Sequence, residues 1–511
     1  MTTKNKYLMN FNKQTIATRY FQSLLLFLGM LSFAEPVFAQ QNYTPIERGE
    51  YTIREEKLEP ENKVEISGSY RAFWGFRSEQ FLPKRDKSGI MGQEIQLKLR
   101  SMVNSNASVN ITLENQFTDI TRGTGGYSSQ NPGDQSDSSS DSGMAVMFEE
   151  AYLEYNHNPN AALKIGRHYV DIADRQGFIY QGTATGFSQE CRIGTWCYYI
   201  GGVRLADGVD DSLYWVQLDY PVFESGQLID DLWSPSKFRQ QYSLNVELFR
   251  AFYRGKDIPL AAYGGWTGEN STNHSKDNGS AVYFDNSGVE YAGLKVGWNN
   301  DDFTLNFVYS FLSGKRNYHT GTQELGNVKA LSNTSISGSL LFLEMDYHYL
   351  PEWKLEVKAL RSSGTEQTNK DSNIWEQDSS AYLAVQRGLH GKALVYFNGK
   401  DNLGDGHSIS NLSYENLGFS HRSTNQDFGV DFAYYRFRKT EGVYNQAGKK
   451  VNAIGSELDI TMRWYMKENF TFDTFWGIFL AGEAYSSNDN VPPIENPQDL
   501  SLFGAALNYS F

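Results

Sequence analysis

Residues Val64 to Arg77 read VEISGSYRAFWGFR, and the stretch alternates between two kinds of side chain. The odd-position set is Glu65, Ser67, Ser69, Arg71, Phe73, Gly75 and Arg77, and the even-position set is Val64, Ile66, Gly68, Tyr70, Ala72, Trp74 and Phe76. A period of two residues is the pattern of a β-strand. Strands of soluble sheets usually run about five or six residues, so this length favours a membrane-spanning strand.

The same alternation recurs along the chain, and its polar face is charged or hydroxylic. The clearest repeats are 107–114, 303–311, 341–349, 353–360 and 457–464. In a membrane barrel the apolar face meets lipid and the polar face lines a wet lumen. A soluble barrel shows the same alternation with the faces reversed, but the number and length of the stretches favour the membrane.

The connections between these stretches come in two sizes. Short ones rich in Asn, Asp and Pro lie at 298–302, 349–352 and 466–469, and suit tight hairpins on the periplasmic side. Long ones lie at 120–144, 268–286 and 483–500, and suit the outside. At roughly 25 residues per strand and connection, the sequence predicts an all-β, antiparallel up-and-down transmembrane barrel over 63–511 with about 18 strands, within a range of 16–20.

The N-terminus carries the features of an export signal. Lys4, Lys6, Lys13 and Arg19 precede the apolar run Leu24–Phe33, and Val37-Phe38-Ala39 offers a cleavage site. A membrane anchor is the alternative, but a spanning helix needs about 20 apolar residues. We therefore expect a signal peptide at 1–39, a short periplasmic segment at 40–62, and delivery to the cell outer membrane.

The chain ends LFGAALNYSF from Leu502 to Phe511, an alternating segment with a terminal aromatic residue. This ending indicates a last barrel strand whose Tyr509 and Phe511 act as a signal for the barrel assembly machinery. Outer-membrane lipid is the other partner that the pattern predicts.

Composition narrows the class of protein. The formal net charge is −14, which argues against nucleic acid as a partner. Mean hydropathy is −0.52, which suits a secreted protein or a membrane barrel and excludes a helical inner-membrane protein. Aromatic residues make up 14% of the chain. Girdles at two membrane interfaces would account for them, and a carbohydrate-binding β-protein is the competing explanation.

Cys191 and Cys197 form an isolated pair, for which an exported protein favours a local disulfide over free thiols. They do not make a zinc site without nearby histidines. Asp134, Asp137 and Asp141 lie in a Ser/Asp/Gly-rich run that reads as a solvated loop, with calcium binding as the weaker alternative. The sequence predicts no metal site and no cofactor.

Two regions resemble the alginate-export family of outer-membrane porins. The first comprises 150–155 (EAYLEY), 163–168 (LKIGRH), 174–177 (DRQG) and 201–205 (GGVRL), with His168 where the family usually has glutamine. The second comprises 454–460 and 479–482. The resemblance implies an arginine-lined barrel that passes an anionic polysaccharide such as alginate.

Arginines expected to line such a pore are Arg71, Arg77, Arg167, Arg175, Arg192 and Arg204. Arg71 lies opposite the apolar face of its strand, and Arg204 is flanked by Val203 and Leu205, so both are predicted to face the lumen. Inward-facing acids are predicted at Glu344, Asp346, Glu457 and Asp459. Guanidinium groups bind carboxylates with two hydrogen bonds, and structural pairing with these acids is the alternative role.

One further segment could affect the pore, from Gly177 to Gly194. It follows Asp171, Asp174 and Arg175, and it contains Cys191. It is expected either to fold inward and narrow the pore or to form an extracellular loop.

A passive channel is the leading functional hypothesis, with a general diffusion porin as the alternative to a sugar-specific one. A second alternative is a barrel that forms a sheath around a periplasmic complex. The chain has no Cys-x-x-Cys-His haem motif of its own, so any haem would belong to a partner. An outer-membrane enzyme is less favoured because no Gly-x-Ser-x-Gly elbow occurs. A gated receptor would need a plug of about a hundred residues, and 40–62 is too short.

Overall fold

The computed structural model describes residues 64–78, 87–122, 125–127, 147–158, 160–172, 178–193, 196–205, 212–227, 239–255, 281–284, 287–300, 302–321, 332–366, 380–382, 384, 393–397, 409–425, 427–445, 447–467, 469–485, 493 and 497–511. The predicted signal peptide, the 40–62 segment, the aspartates 134, 137 and 141, Asp174 and Arg175 lie outside these ranges. No helix within them is long and apolar enough to cross a membrane.

Twenty β-strands account for nearly all of the described residues. They are β1 (Val64–Ser78), β2 (Lys87–Asn104), β3 (Ala107–Arg122), β4 (Gly125–Tyr127), β5 (Met147–Asn158), β6 (Ala161–Ile172), β7 (Tyr180–Ile193), β8 (Trp196–Arg204), β9 (Ser212–Gln227), β10 (Arg239–Gly255), β11 (Ala281–Phe284), β12 (Ser287–Asn300), β13 (Phe303–Gly321), β14 (Ser332–Leu350), β15 (Trp353–Ser362), β16 (Leu412–Arg422), β17 (Phe428–Tyr444), β18 (Lys450–Lys467), β19 (Phe470–Ala481) and β20 (Leu500–Ser510). Each repeat picked out by alternation falls inside one of these strands.

The strands form one closed antiparallel sheet. Long strands pair with their sequence neighbours, and β1 pairs with β20 to complete the ring. The three-residue β4 and the four-residue β11 only extend the pairing of β3 and β13, which leaves eighteen strands around the barrel. The predicted fold and strand number are therefore confirmed. The shortest of the eighteen, β8, has 9 residues, about the length that a spanning strand needs.

The outer face of the barrel carries an apolar belt. On β13 it runs from Phe303 to Phe311, and Tyr309 and Phe311 are 39% and 45% exposed. Nine residues cover about 27 Å of strand, or roughly 21 Å of membrane at a 40° tilt, close to the ~25 Å band of outer-membrane barrels. Polar side chains above this height mark the end of the belt. The protein is thus an outer-membrane barrel, as the sequence predicts.

The two kinds of connection lie mostly at opposite ends of the barrel. The end that holds Val64 and Phe511, called the lower end here, carries most of the short turns, and the upper end carries most of the long connections. The exceptions are the short connection from β17 to β18 at the upper end and the longer one from β9 to β10 at the lower end. Asparagine side chains shape the lower turns: Asn300 Oδ1 accepts hydrogen bonds from the N–H groups of Asp302 (3.1 Å) and Phe303 (2.7 Å). Short turns belong on the periplasmic side, so the upper end faces the outside.

Aromatic side chains gather on the outer face near the lower end. The ring of Trp353 lies 4.8 Å from that of Phe419 and 4.1 Å from that of His421, and the ring of Trp464 lies 5.6 Å from that of Phe472. Amphipathic rings favour the membrane–water interface. Part of the high aromatic content therefore belongs to a lower interfacial girdle.

The last residue closes the seam between β20 and β1. Phe511 and Gly68 exchange two backbone hydrogen bonds of 3.0 Å each. A Cβ atom on Gly68 would lie 2.6 Å from the Phe511 ring, so glycine leaves room for that ring. The rings of Tyr509 and Phe511 stack 6.1 Å apart on the outer face.

Deleting Phe511 should sharply reduce the amount of assembled barrel in the outer membrane while leaving synthesis unchanged. Phe511→Ala, which keeps both backbone bonds, should also reduce it if the ring is the assembly signal, and Phe511→Tyr should not. Heat-modifiable electrophoretic mobility of membrane fractions measures the assembled form. A normal amount of heat-modifiable barrel in the deletion variant would contradict this role.

Candidate functional site

The lumen is narrowed in its upper half by two inward-folded pieces of chain. One is Phe178–Ile179, directly before β7, and the other lies between Ser363 and Asn411, in the connection from β15 to β16. The inner wall facing them is apolar and buried, for example at Val308, Leu340 and Phe437. Burial of apolar surface against the wall stabilises these pieces in the lumen.

Tyr382 joins the two inward pieces to each other and to the wall. Its hydroxyl lies 2.9 Å from Ser310 Oγ on β13 and 3.2 Å from the carbonyl oxygen of Phe178. Its ring lies 6.1 Å from that of Tyr291, and the rings of Phe178 and Phe342 are 4.9 Å apart. Burial of this phenol raises the pKa of Tyr382 above its ordinary value, so it stays a neutral hydrogen-bonding group.

Two carboxylates on β18 hold the second inward piece against the wall. Glu457 accepts hydrogen bonds from the N–H groups of Val395 (2.6 Å) and Tyr396 (3.0 Å), and Asp459 accepts one from Leu394 (3.0 Å). Three consecutive N–H groups of one turn thus converge on two acids. Buried backbone N–H groups need acceptors, and these two side chains supply them; we call this arrangement the carboxylate anchor.

Close packing accompanies the carboxylate anchor. A Cβ atom on Gly477 would lie 2.9 Å from Asp459 Oδ1 and 3.0 Å from Val395 Cγ2, so glycine on β19 permits the approach. The ring of Tyr396 stacks 4.3 Å from Phe437 and 5.8 Å from Phe479. The anchored turn therefore combines satisfied backbone donors with aromatic packing.

Both stems of the connection meet at the top of β15. Ser363 Oγ donates to the Ser380 carbonyl oxygen (2.6 Å), and the Ser363 carbonyl oxygen accepts from the N–H groups of Tyr382 (3.0 Å) and Asn411 (3.2 Å). Asn411 has a φ of 52°, a left-handed conformation that asparagine tolerates better than most residues. Hydrogen bonds therefore hold the inward connection both where it leaves the wall, at Ser363, and at the carboxylate anchor.

The lower half of the lumen is charged and wet, and several of its basic side chains are already paired. Lys358 Nζ lies 2.8 Å from Glu344 and 3.1 Å from Glu356, and Lys354 Nζ lies 3.1 Å from Asp346.

Two further ion pairs lie on the inner face of the neighbouring strands. Arg463 forms a bidentate pair with Asp473 at 2.7 and 3.0 Å. Arg422 lies 3.0 Å from Asp431.

Among the side chains that the structure describes, acids outnumber bases on the inner face of the strands, where register pairs assign the face. The bases are Arg71, Lys98, Arg100, Lys164, Arg192, Lys295, Lys354, Lys358, Arg422, Lys439 and Arg463. The acids, apart from the carboxylate anchor, are Glu65, Glu94, Glu114, Glu150, Glu154, Glu190, Asp219, Glu247, Glu344, Asp346, Glu356, Asp431 and Asp473. The water-filled part of the lumen is therefore of mixed charge with an acidic excess.

Arg71, Glu344 and Asp346 lie on the inner face, as the alternation predicts, and Glu344 and Asp346 are paired with lysines. The prediction of Arg204 in the lumen is wrong. Arg204 pairs with Ser212 beside the exposed Tyr214, whereas its neighbour Val203 is the buried, inward residue.

Arg167 was expected in the lumen too, and it also lies on the outer face. It shares that face with the exposed Ile165 and Tyr169, and its guanidinium donates to the Glu149 carbonyl oxygen (3.0 Å) and Thr183 Oγ1 (3.2 Å). The Arg77 side chain and all of Arg175 lie outside the described residues. Glu457 and Asp459 do face inward, but they are covered by the anchored turn and do not line water.

Most of the segment from Gly177 to Gly194 is neither an inward loop nor an extracellular loop, because Tyr180–Ile193 is the wall strand β7. Within the described part of the segment, only Phe178–Ile179 folds inward. The expected disulfide is not formed, and both cysteines are free. Arg192 pairs with Cys197 and Cys191 with Tyr198, so the two thiols project from opposite faces of one hairpin and cannot meet.

Sequence reasoning missed the lysines at 354 and 358, which lie on the polar face of a predicted strand but were not singled out as partners of Glu344 and Asp346. It also missed Tyr382 and the turn at 394–396. No local sequence pattern predicts that turn, because its N–H groups bind acids that lie more than sixty residues away in the sequence.

Comparison with known proteins shows that the chain is similar to solved structures in its fold, and it shows nothing more. No protein-family model and no curated protein matches the chain. Among solved structures, Pseudomonas aeruginosa OccK9 (OpdG) is 11% identical, with 88% of this chain and 98% of that chain covered and a TM-score of 0.49.

Two other solved structures are similar to the same extent. Pseudomonas aeruginosa OpdK with vanillate has 11% identity, 88% and 98% coverage and a TM-score of 0.48. Acinetobacter baumannii OccAB4 has 10% identity, 89% and 99% coverage and a TM-score of 0.44. At these values none of them assigns the chain to a family or names its solute.

Removing the carboxylate anchor should widen the lumen without unfolding the barrel. Glu457→Ala with Asp459→Ala removes acceptors whose hydrogen bonds contribute about 1 kcal/mol each, so the turn should leave the wall and single-channel conductance should rise. Gly477→Val should act in the same direction by displacing Leu394 and Val395. Glu483→Gln, which changes an exposed acid at an upper turn, is the control and should leave the conductance unchanged. Unchanged conductance in both anchor variants would show that the turn does not restrict the pore.

Proposed function

We propose that the protein is a passive solute channel of the outer membrane. The observation that carries the proposal is the division of the lumen into a charged lower half and an upper half narrowed by inward chain held at the carboxylate anchor. A barrel whose only task was anchorage would not need its own chain pinned inside the lumen. An anchored constriction is what a selective pore needs, because it sets both the diameter and the chemistry of the narrowest part.

The charges favour small cationic or neutral solutes over an anionic polymer. Arg167 and Arg204, two of the arginines on which an anion path would rest, face outward. Lys354 and Lys358 face inward but already neutralise carboxylates. A lumen with an acidic excess raises the local concentration of cations. The alginate-like substrate that the family resemblance implies is therefore the less favoured candidate.

The inward chain also bears on the sheath hypothesis. The buried pieces at Phe178 and at 393–397 occupy the upper lumen, which leaves less space for a protein partner threaded through the barrel. A small-solute channel uses the same narrowing as its selectivity device.

The purified protein in a planar bilayer should show a reversal potential of cationic sign in a KCl gradient. Replacing Glu94, Glu114 and Glu190 with Gln should roughly halve the cation-over-anion permeability ratio, because fixed charge in the lumen sets local ion concentrations. Glu483→Gln, at an exposed upper turn, is the control and should leave the ratio unchanged.

An anion-selective wild-type channel that oligouronates block better than neutral oligosaccharides would instead support the anionic polysaccharide. Absence of conductance from folded barrel would count against any channel function.

A further inference from the structure

A row of cations crosses part of the outer face toward the upper end, and it is inclined to the membrane plane because the barrel strands are tilted. Register pairs connect Arg204, Ser212, Arg254, Gly288 and Lys315 across five neighbouring strands, β8, β9, β10, β12 and β13. The cations occupy alternate positions of the row, with serine and glycine between them. Neighbouring strands lie about 4.8 Å apart, so the charges repeat about every 10 Å.

The row continues on the other side of Arg204. Thr185 pairs with Arg204, and Arg167 pairs with Thr185, so a fourth cation on β6 follows the same spacing. The guanidinium of Arg167 is partly used by local hydrogen bonds. Arg204, Arg254 and Lys315 therefore carry the argument, and we call these three the outer basic row.

All three members of the outer basic row are exposed, and no carboxylate within the described ranges pairs with them. The nearest acid beneath the row, Glu290, is neutralised by Arg250 at 2.5 Å. Charges that served only to stabilise the fold would be expected to have partners on the protein. These face away from the lumen and cannot act on a solute inside it.

The surface directly below the row is aromatic. Tyr214, Phe252 and Phe311 lie on the same outer face and are 53%, 44% and 45% exposed. This surface belongs to the apolar belt, so acyl chains lie against it. Each cation of the outer basic row lies on the upper side of that surface, toward the headgroups. The combination of cations above and rings below matches an amphiphile with an anionic head.

We propose that the outer basic row binds the phosphate groups of the glycolipid of the outer leaflet, a diphosphorylated and multiply acylated sugar. The short turns place the lower end in the periplasm and hence the row in the outer leaflet. Arginine binds phosphate with paired, charge-assisted hydrogen bonds. A headgroup with several phosphates can bind two or more cations of the row at once. A lipid with one phosphate would bind only one of them.

The test compares lipid A carrying two phosphates with dephosphorylated lipid A and with phosphatidylglycerol, each titrated onto the detergent-solubilised full-length barrel and followed by native mass spectrometry. The triple variant Arg204→Gln, Arg254→Gln, Lys315→Gln should bind diphosphorylated lipid A at least tenfold more weakly than the wild type. Lys449→Gln removes an exposed upper cation that pairs with Glu483, and should bind as the wild type does. The affinity of the wild type for dephosphorylated lipid A should be low. It should equal the affinity of the triple variant for diphosphorylated lipid A.

Heat-modifiable mobility establishes that the triple variant is folded. If it does not fold, the single variants decide: Arg254→Gln should weaken binding about threefold, and Arg254→Lys should restore it. Equal binding of diphosphorylated lipid A by folded variant and wild type overturns the proposal. Equal affinity of the wild type for phosphatidylglycerol and diphosphorylated lipid A overturns the glycolipid as the specific partner.

Discussion

The closed hydrogen-bond ring of the barrel is the constraint on which the rest of the structure depends. A lipid interior offers no partner for an unpaired N–H or C=O group, so a sheet can cross it only when it has no free edge. Pairing of β1 with β20, completed by Gly68 and Phe511, removes the last edge. Once the ring is closed, each side chain faces either lipid or lumen, and every later feature follows from that division.

The lumen then presents a second problem, because an eighteen-strand ring encloses more space than wall side chains can fill. This chain narrows the upper part with its own connections, and that part of the wall is apolar where they pack against it. A buried turn brings backbone donors that need acceptors, and Glu457 and Asp459 supply them. The acids in the upper wall therefore hold the turn that narrows the lumen, while the acids in the lower wall line the path of the solute.

Alternation predicted the strands and the face of Arg71, since lipid and water lie on opposite sides of that strand, and chain length predicted the number of strands. It failed at Arg204 for a physical reason. Apolar neighbours indicate the lipid side only where the inner wall meets water, but Val203 is apolar because it lies in the covered upper wall. Where chain packs on both faces or polar headgroups meet the outer one, residue polarity no longer distinguishes inside from outside. The cysteine pairing failed because a two-stranded hairpin separates thiols by face, which spacing in sequence does not reveal.

By itself, the sequence determined the architecture: an exported, antiparallel membrane barrel of about eighteen strands with short turns at one end and long connections at the other. It could do so because period-two patterning and turn chemistry are local. Only the tertiary structure decided which connection enters the lumen, what holds it there and which arginines face lipid. Those properties depend on register and on contacts such as Glu457 with Val395, which join residues distant along the chain, so no local pattern encodes them.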